Sequence, residues 1–162
     1  MNGSTENAAH GAPEKSGRRE VFLNLATGQK MLPLVQRIIA DILQFQQTLA
    51  ELLPEQEQLE QRKRQLSWPE RSRRYQVQED IARAERSRQE ALGELDRLGL
   101  VLLEAGRGEV GFPTLVNGRR AYFSWLAGEN EIQHWHFAEE TQRRPVPSTW
   151  SRSANLTLSV KS

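Results

Sequence analysis

The sequence predicts an α+β protein in which a long antiparallel, coiled-coil-like helical hairpin is followed by a small antiparallel β-meander, with disordered N- and C-terminal tails. Between residues 24 and 98, apolar residues recur at spacings of three and four, the pattern of an amphipathic helix. After Gly99 the period falls to about two and turn residues come at short intervals, which is typical of short strands. Only 37% of the 162 residues are hydrophobic and the mean hydropathy is −0.68, so the composition favours an elongated hairpin over a thick layered core.

Four segments follow from the composition. Residues 1–21 are polar and aperiodic, and residues 145–162 are rich in Pro, Ser and Thr, so we expect both to be disordered tails. Residues 22–98 form the hairpin, and residues 99–144 form a sheet packed on the base of the hairpin.

The first helix is predicted to begin after Asn24, a good N-cap residue, and to end near Leu66. Pro33 and Pro54 each remove an intrahelical hydrogen bond, so we expect a kink or break near each. The apolar seam comprises Met31, Val35, Ile38, Ile42, Phe45, Leu49, Leu52, Leu59 and Leu66, and it is widened by Leu32, Ile39 and Leu53.

The second helix has a clear start and end. Ser67, Pro69 and Glu70 form a capping-box pattern with a proline in the first turn. Gly99 stands where a left-handed C-cap residue is expected. The seam continues through Val77, Ile81, Ala84, Ala91, Leu95 and Leu98.

Four strands are predicted after the hairpin, at residues 100–103, 110–116, 119–126 and 131–137. Asn117-Gly118 is the signature of a type I′ hairpin turn. Because proline cannot donate to a neighbouring strand, Pro113 predicts an edge position for the second strand.

The C-terminal half carries a set of rare residues in a recognisable order. They are Phe112-Pro113, Gly118, Trp125, Gly128-Glu129, Ile132, Trp135-His136 and Arg144-Pro145, with Leu32-Pro33 in the first helix. In this order the chain resembles a bacterial family known as domain of unknown function 2203. It departs from the family pattern at Gly111, where an aspartate is common, and in lacking a Gly-Phe pair before the last arginine. The resemblance supports the fold and implies no activity.

The charge and residue inventory excludes several classes of function. Lys and Arg total 22 against 21 Asp and Glu, so no global field attracts nucleic acid or an anionic membrane. The chain has no cysteine, which excludes a disulfide framework, a thiolate nucleophile and a Cys-ligated metal. It also has no apolar leader and no apolar run of about 18 residues. We therefore expect a cytoplasmic protein with no membrane partner.

The first candidate site lies in the sheet, where a ligand-binding or structural cluster comprises Trp125, Glu129, Trp135, His136 and Arg144. Strand alternation places His134 and His136 on one face, so with Glu129 they form a candidate site for zinc or another divalent metal. Otherwise no cofactor is expected. The structural alternative is that His136 bonds to Glu129 or a backbone carbonyl while the tryptophans pack on the helices.

The second candidate site is the tip of the hairpin. Its residues are Arg62, Lys63, Arg64, Trp68, Arg71, Arg73 and Arg74. A basic tip with a stacking tryptophan predicts non-specific nucleic-acid binding. In the alternative interpretation the arginines pair with Glu60, Glu79 and Asp80, and Trp68 packs against the helix cap.

These observations favour a non-catalytic protein-interaction or scaffold module built on the hairpin. The partners expected are a second copy, meeting through Leu32, Ile39, Phe45 and Leu53, or another helical protein. Two alternatives stay open: a metal- or small-ligand-binding protein, hydrolase-like in chemistry, that uses His134, His136 and Glu129, and nucleic-acid binding at the tip. No motif marks a serine or threonine nucleophile, so the sequence leans against an enzyme without deciding the question.

Overall fold

The computed structural model describes residues 20–153 and 155–160 and has the predicted architecture of a helical hairpin followed by an antiparallel meander. Its helices are α1 (Leu25–Gln61) and α2 (Trp68–Arg97). The five strands, hydrogen-bonded in sequence order, are β1 (Val101–Glu104), β2 (Glu109–Val116), β3 (Arg119–Leu126), β4 (His134–Phe137) and β5 (Arg144–Pro145). A short 3-10 helix at Ser148–Arg152 follows.

Helix α1 begins as predicted, because the Asn24 side chain accepts a hydrogen bond from the Thr27 amide at 2.8 Å. The predicted break at Pro33 or Pro54 is not found: one helix runs through both residues to Gln61. Both prolines face solvent, where water can satisfy the carbonyl that each leaves free. The end expected near Leu66 is also wrong, since turns replace the helix after Gln61.

Helix α2 has the predicted capping box. The Glu70 amide donates to Ser67 Oγ at 3.4 Å, and the Ser67 amide donates to Glu70 Oε2 at 3.0 Å. At the other end, Gly99 adopts a φ of 78°, the left-handed conformation that glycine takes at low cost. Both ends of this helix are therefore encoded locally.

The meander follows the predicted order, but Pro113 does not lie in an edge strand, because β2 pairs with both β1 and β3. Strand β1 pairs only with residues 109–111, so it has ended before Pro113 is reached. On that side the Pro113 carbonyl accepts from the Leu23 amide at 2.7 Å. Pro113 has no backbone N–H to donate, and because β1 has already ended at this point, no strand on that side lacks a hydrogen bond. The turn after β2 has positive φ at Asn117 (52°) and Gly118 (72°), as a type I′ turn requires.

Strand β4 starts at His134, later than the predicted residue 131. The reason is a contact from α1: the Gln29 side chain accepts from the Ile132 amide at 3.0 Å and donates to the Ile132 carbonyl at 3.1 Å. A helix side chain therefore takes both backbone groups that a neighbouring strand would otherwise bind.

The segment predicted as a C-terminal tail makes several contacts with the rest of the chain. Within the segment 145–162, Trp150 is only 3% exposed and Leu158 only 4%. The Asn117 side chain exchanges two hydrogen bonds with the backbone of Val160, at 3.0 and 3.2 Å. Contacts with the sheet thus extend to residue 160. The tail was predicted from the Pro, Ser and Thr content of this segment, and composition does not report such contacts. Residues 1–19 of the N-terminal tail lie outside the described residues.

The apolar side chains form two clusters. The larger joins the inner face of the sheet to the first half of α1 and the end of α2, and it includes Leu32, Ile39, Ile42, Leu95 and Trp135. Leu32 and Ile39 are therefore buried within the chain, which corrects their predicted role in self-association.

The smaller cluster comprises Leu59, Leu66, Val77 and Ile81, with Leu49 and Leu52 packed against it. All of these residues belong to the helices and their connection, so the tip of the hairpin is held together without the sheet. Neither helix in the described ranges combines the length and hydropathy that crossing a membrane requires.

Candidate functional site

The first candidate site is a polar cluster on the face of the sheet opposite the helices. Strand pairing sets Ser124 beside His134 and Tyr122 beside His136, and it sets Gly111 on the other side of Ser124. Because side chains alternate along strands, these positions share the outer face, whereas Phe112, Phe123 and Trp135 point into the core. The cluster comprises Glu109, Ser124, Glu129, His134, His136 and Arg143.

Ser124 lies at the centre of the polar cluster and is fully buried. Its Oγ donates to Glu109 Oε1 at 2.8 Å and accepts from Arg143 Nε at 2.8 Å. The second branch of the Arg143 guanidinium donates to the Ser124 carbonyl at 3.1 Å and to Glu129 Oε1 at 2.5 Å. The Glu129 carboxylate also accepts from the Leu126 amide at 2.7 Å. The network thus joins β2, β3 and the segment before β5.

The two histidines face different carboxylates. His134 Nδ1 lies 3.5 Å from Glu129 Oε2, whereas His136 Nε2 lies 3.6 Å from Glu109 Oε1. His136 Nδ1 is 2.7 Å from the Phe137 carbonyl, which can only accept, so this nitrogen carries the hydrogen.

The predicted set of His134, His136 and Glu129 therefore does not converge on one point. Within residues 20–153 and 155–160, no group of three or more His, Asp or Glu side chains is placed to hold a metal ion. Of the two partners expected for His136, a backbone carbonyl is present, that of Phe137, whereas the nearby carboxylate is Glu109 instead of Glu129. Sequence reasoning missed Glu109, although alternation from the Asn117-Gly118 turn would have placed it on the same face as Ser124.

The remaining predicted residues of the sheet cluster lie on its other side. Trp125 and Trp135 are buried in the core, as the structural alternative expected. The Trp125 indole donates to the Glu129 carbonyl at 2.9 Å. The Arg144 guanidinium lies 5.3 Å from the Trp135 ring centroid and pairs with Glu140 at 2.7 Å. The predicted cluster is thus divided between the two faces of the sheet.

The chemistry of the polar cluster is that of a stabilising network. Ser124 Oγ is bonded to a carboxylate and a guanidinium, and it has no exposed surface on which a substrate could be placed. His134, with 30% of its side chain exposed, is the histidine of the pair that solvent reaches. A buried polar atom without a hydrogen-bond partner is costly. The network therefore stabilises the strand register in which these atoms are paired.

The second candidate site, the tip, carries less free positive charge than its sequence suggests. Three of its arginines form ion pairs within the hairpin: Arg73 with Glu55 at 2.6 Å, Arg74 with Glu60 at 2.6 Å, and Arg62 with Glu70 at 3.4 Å. Hydrogen bonds from Arg73 and Arg74 lower the pKa of Glu55 and of Glu60.

Of the three acidic partners expected for these arginines, Glu60 alone has that role. Asp80 instead pairs with Arg83 at 3.4 Å, and Glu79 forms no ion pair within the described ranges. Between residues 55 and 80 the chain has six basic and six acidic residues, so the local net charge is zero.

Trp68 does not pack against the helix cap as the sequence suggested: it is 76% exposed, whereas the other three tryptophans are at most 3% exposed. Tyr75, which the sequence analysis did not single out, is 64% exposed. Together with Arg71 and Ser72 they line a shallow depression of about 230 Å³. We call these four residues the aromatic face.

Helical geometry explains why the aromatic face is exposed. At about 100° per residue, Trp68, Arg71 and Tyr75 lie within a narrow sector of α2. The buried residues Val77 and Ile81 lie on the opposite side, against α1. Arg71 Nε donates to the Leu66 carbonyl at 3.2 Å, which holds the arginine close to the start of the helix. The spacing of seven residues between the two aromatics was the signal that could have identified Tyr75.

A further depression of about 220 Å³ lies where the chain enters α1. Apolar side chains such as Phe22, Val101 and Pro113 line it, and Arg120 at its rim pairs with Glu20 at 2.8 Å. None of the residues predicted as sites from the sequence contributes to it.

Comparison with known proteins gives one result. Neither the curated proteins nor the solved structures include a match to this chain. The model of one family, described as "Uncharacterized conserved protein (DUF2203)", matches residues 22–146, which include both helices and the sheet. The chain therefore belongs to the DUF2203 family.

Proposed function

We propose that this protein is a non-catalytic protein-interaction module whose docking surface is the aromatic face at the tip of its helical hairpin. The observation that carries the proposal is the 76% exposure of Trp68. Burying one large apolar side chain stabilises a complex by about 2–3 kcal/mol, and this gain is unused in the isolated chain. Helix formation gives no reason for a tryptophan at this position, since tryptophan is only a moderate helix former.

The composition of the aromatic face supports a protein partner. Trp, Tyr and Arg are the residue types most enriched among interface residues that dominate binding energy. Here Trp68, Arg71 and Tyr75 occur at positions i, i+3 and i+7 of one helix and lie side by side around the same depression. Such a stripe is suited to a partner helix or extended segment laid across it.

The charges at the tip favour protein over nucleic acid. Non-specific nucleic-acid binding depends on free cationic side chains that neutralise phosphates. Arg62, Arg73 and Arg74 are instead held by glutamates of the same hairpin. The net charge from residue 55 to 80 is zero, so the tip lacks the excess of positive charge that phosphate binding needs.

The rest of the chain suits the role of a scaffold. The polar cluster and the larger apolar cluster hold the open end of the hairpin together, while the smaller cluster packs the two helices against each other at the tip. A rigid surface loses little entropy on docking. The proposal retains a cytoplasmic location for the protein, which cell fractionation tests.

Site-specific photo-cross-linking in the native cells tests the proposal. The photoreactive residue benzoylphenylalanine replaces Trp68 or Tyr75, and a control carries it at Gln76, which is exposed on α2 about 100° away from Tyr75. We expect protease-sensitive adducts at the two face positions and much weaker ones at the control. Equal adducts at all three positions, no adducts, or nuclease-sensitive adducts would contradict the proposed function.

A further inference from the structure

The outer face of α2 has a symmetrical arrangement of residues about Tyr75. Arg71 lies four residues before it and Glu79 four residues after it; Trp68 lies seven before and Ala82 seven after. At about 100° per residue, all five lie within about 40° of the direction of Tyr75. A cation is thus matched by an anion, and a large side chain by a small one, at equal distances from one point.

Among the described residues, the two charged side chains of this pattern form no ion pair within the hairpin. Glu79 is exposed and has no ion pair in residues 20–153 and 155–160. The bond from Arg71 to the Leu66 carbonyl uses Nε and leaves its terminal nitrogens free to bind a carboxylate. Because Arg71 and Glu79 are eight residues apart, about 12 Å separates them along the helix, and they cannot pair with each other.

We infer that the partner of the aromatic face is a second copy of this chain, docked antiparallel through α2 with the two-fold axis passing beside Tyr75. In that arrangement Arg71 meets Glu79 of the second copy, and the symmetry makes this ion pair twice. Trp68 lies over Ala82 of the second copy, where the small side chain leaves room for the indole. The inference rests on the proposed function, because it names the partner of the same surface.

A second copy fits this face better than an unrelated partner because the face is complementary to itself. A two-fold interface requires each residue to meet its complement at the symmetry-related position, and Arg71 and Glu79 satisfy that condition about Tyr75. Ser72 and Gln78 lie three residues before and three residues after Tyr75, so they would also meet across the two-fold axis. Both are neutral, and this contact brings no like charges together. The pattern also favours the antiparallel orientation, because a parallel pairing would set arginine against arginine.

The size of the face predicts a weak dimer. Residues 68–82 span about 21 Å of helix, and a single helix-to-helix contact of that length buries less than the roughly 800 Å² per partner of a standard interface. Both charge pairs lie at the solvent-exposed rim. We therefore expect association in the micromolar range that weakens as salt is added.

Charge reversal with rescue tests the inference on the full chain. Sedimentation equilibrium from about 1 to about 200 µM measures the dissociation constant of the dimer, with the monomer at 18.6 kDa. R71E and E79R should each weaken dimerisation about tenfold or more, because each sets like charges opposite one another twice. The double variant R71E/E79R should restore the dissociation constant to within about threefold, since the reversed charges pair again. The control E85R changes an exposed glutamate outside the face and should leave the constant unchanged.

The possible outcomes separate this inference from the proposed function. A chain that stays monomeric at about 200 µM, or single variants that are not rescued in the double variant, would refute the second copy as partner. If cross-links from residue 68 then join a different protein, the proposed function survives without the dimer. Melting curves of each variant show that a lost dimer does not reflect a lost fold, because both charged side chains lie on the surface.

Discussion

A comparison of Trp68 with Trp150 tests most directly whether the aromatic face contributes to the stability of the fold. Trp68 is 76% exposed, whereas Trp150 is 3% exposed. The Trp150 ring lies 5.1 Å from the Trp135 ring and 6.1 Å from the Phe123 ring, and its indole donates to the Ser159 carbonyl at 3.3 Å. The same substitution by alanine therefore removes a core side chain in one case and a surface side chain in the other.

The expected magnitudes differ by a wide margin. Replacing a buried Trp with Ala costs about 3–5 kcal/mol, because apolar burial is lost and a cavity is left. For a domain of this size, W150A should lower the melting temperature by about 10 °C. W68A should change the free energy of unfolding by less than about 0.5 kcal/mol, the usual range for surface substitutions.

Differential scanning calorimetry of the two variants and the parent chain measures both effects. The double variant W68A/W150A should show the sum of the two single effects, because the side chains belong to separate regions of the molecule. If W68A destabilises the chain as much as W150A, Trp68 stabilises the fold, and the argument for an unused docking surface fails. If W150A is neutral, the packing of the C-terminal segment on the sheet contributes nothing to stability.

Three further predictions concern the polar cluster, the segment before β4 and the tip. S124A should cost about 2 kcal/mol in denaturant unfolding, because it removes two buried hydrogen bonds, whereas the exposed S72A should be neutral. Q29A should cost about 1–3 kcal/mol by the same assay, because two backbone groups before β4 lose their partner; a neutral result would show that water replaces the side chain. The Arg74 hydrogen bond lowers the pKa of Glu60 in the fold, so its stabilisation is present above the unfolded pKa and is lost as the pH falls through the folded pKa. Hydrogen exchange at the tip should therefore accelerate relative to the base between about pH 5 and pH 3, and less so in E60Q.

Local features of this fold were predictable from the sequence because short-range interactions determine them. The capping box of Ser67 and Glu70 is formed by residues three positions apart, and its two hydrogen bonds need no other part of the chain. The type I′ turn at Asn117-Gly118 depends on the conformational tolerance of two adjacent residues. The change of apolar period at Gly99 likewise separates helices from strands without information on packing.

The candidate sites were predicted less well, because their contacts join residues that are far apart in the chain. The sequence left His136 a bond to Glu129 or to a backbone carbonyl, but it did not indicate that the folded sheet places His136 beside Glu109 on β2. The Gln29 side chain ends the β4 pairing from more than a hundred residues away, and no pattern within either segment signals this. At the tip, residues 62–74 look strongly basic alone, but the fold adds Glu55 and Glu60 from the neighbouring helix.

The sequence by itself determined the two helices, the first four strands, their order and several of their ends, since apolar period, capping and turn chemistry act over a few residues. It did not predict β5 or the 3-10 helix at Ser148–Arg152. Only the tertiary structure decided which side chains are available for function. The exposure of Trp68 and the burial of Trp150 do not depend on the residues beside them; they depend on which face of α2 meets α1 and on where the C-terminal segment meets the sheet. Whether a side chain is buried depends on which other segments of the chain pack against it, and the residues beside it in the sequence do not specify those segments.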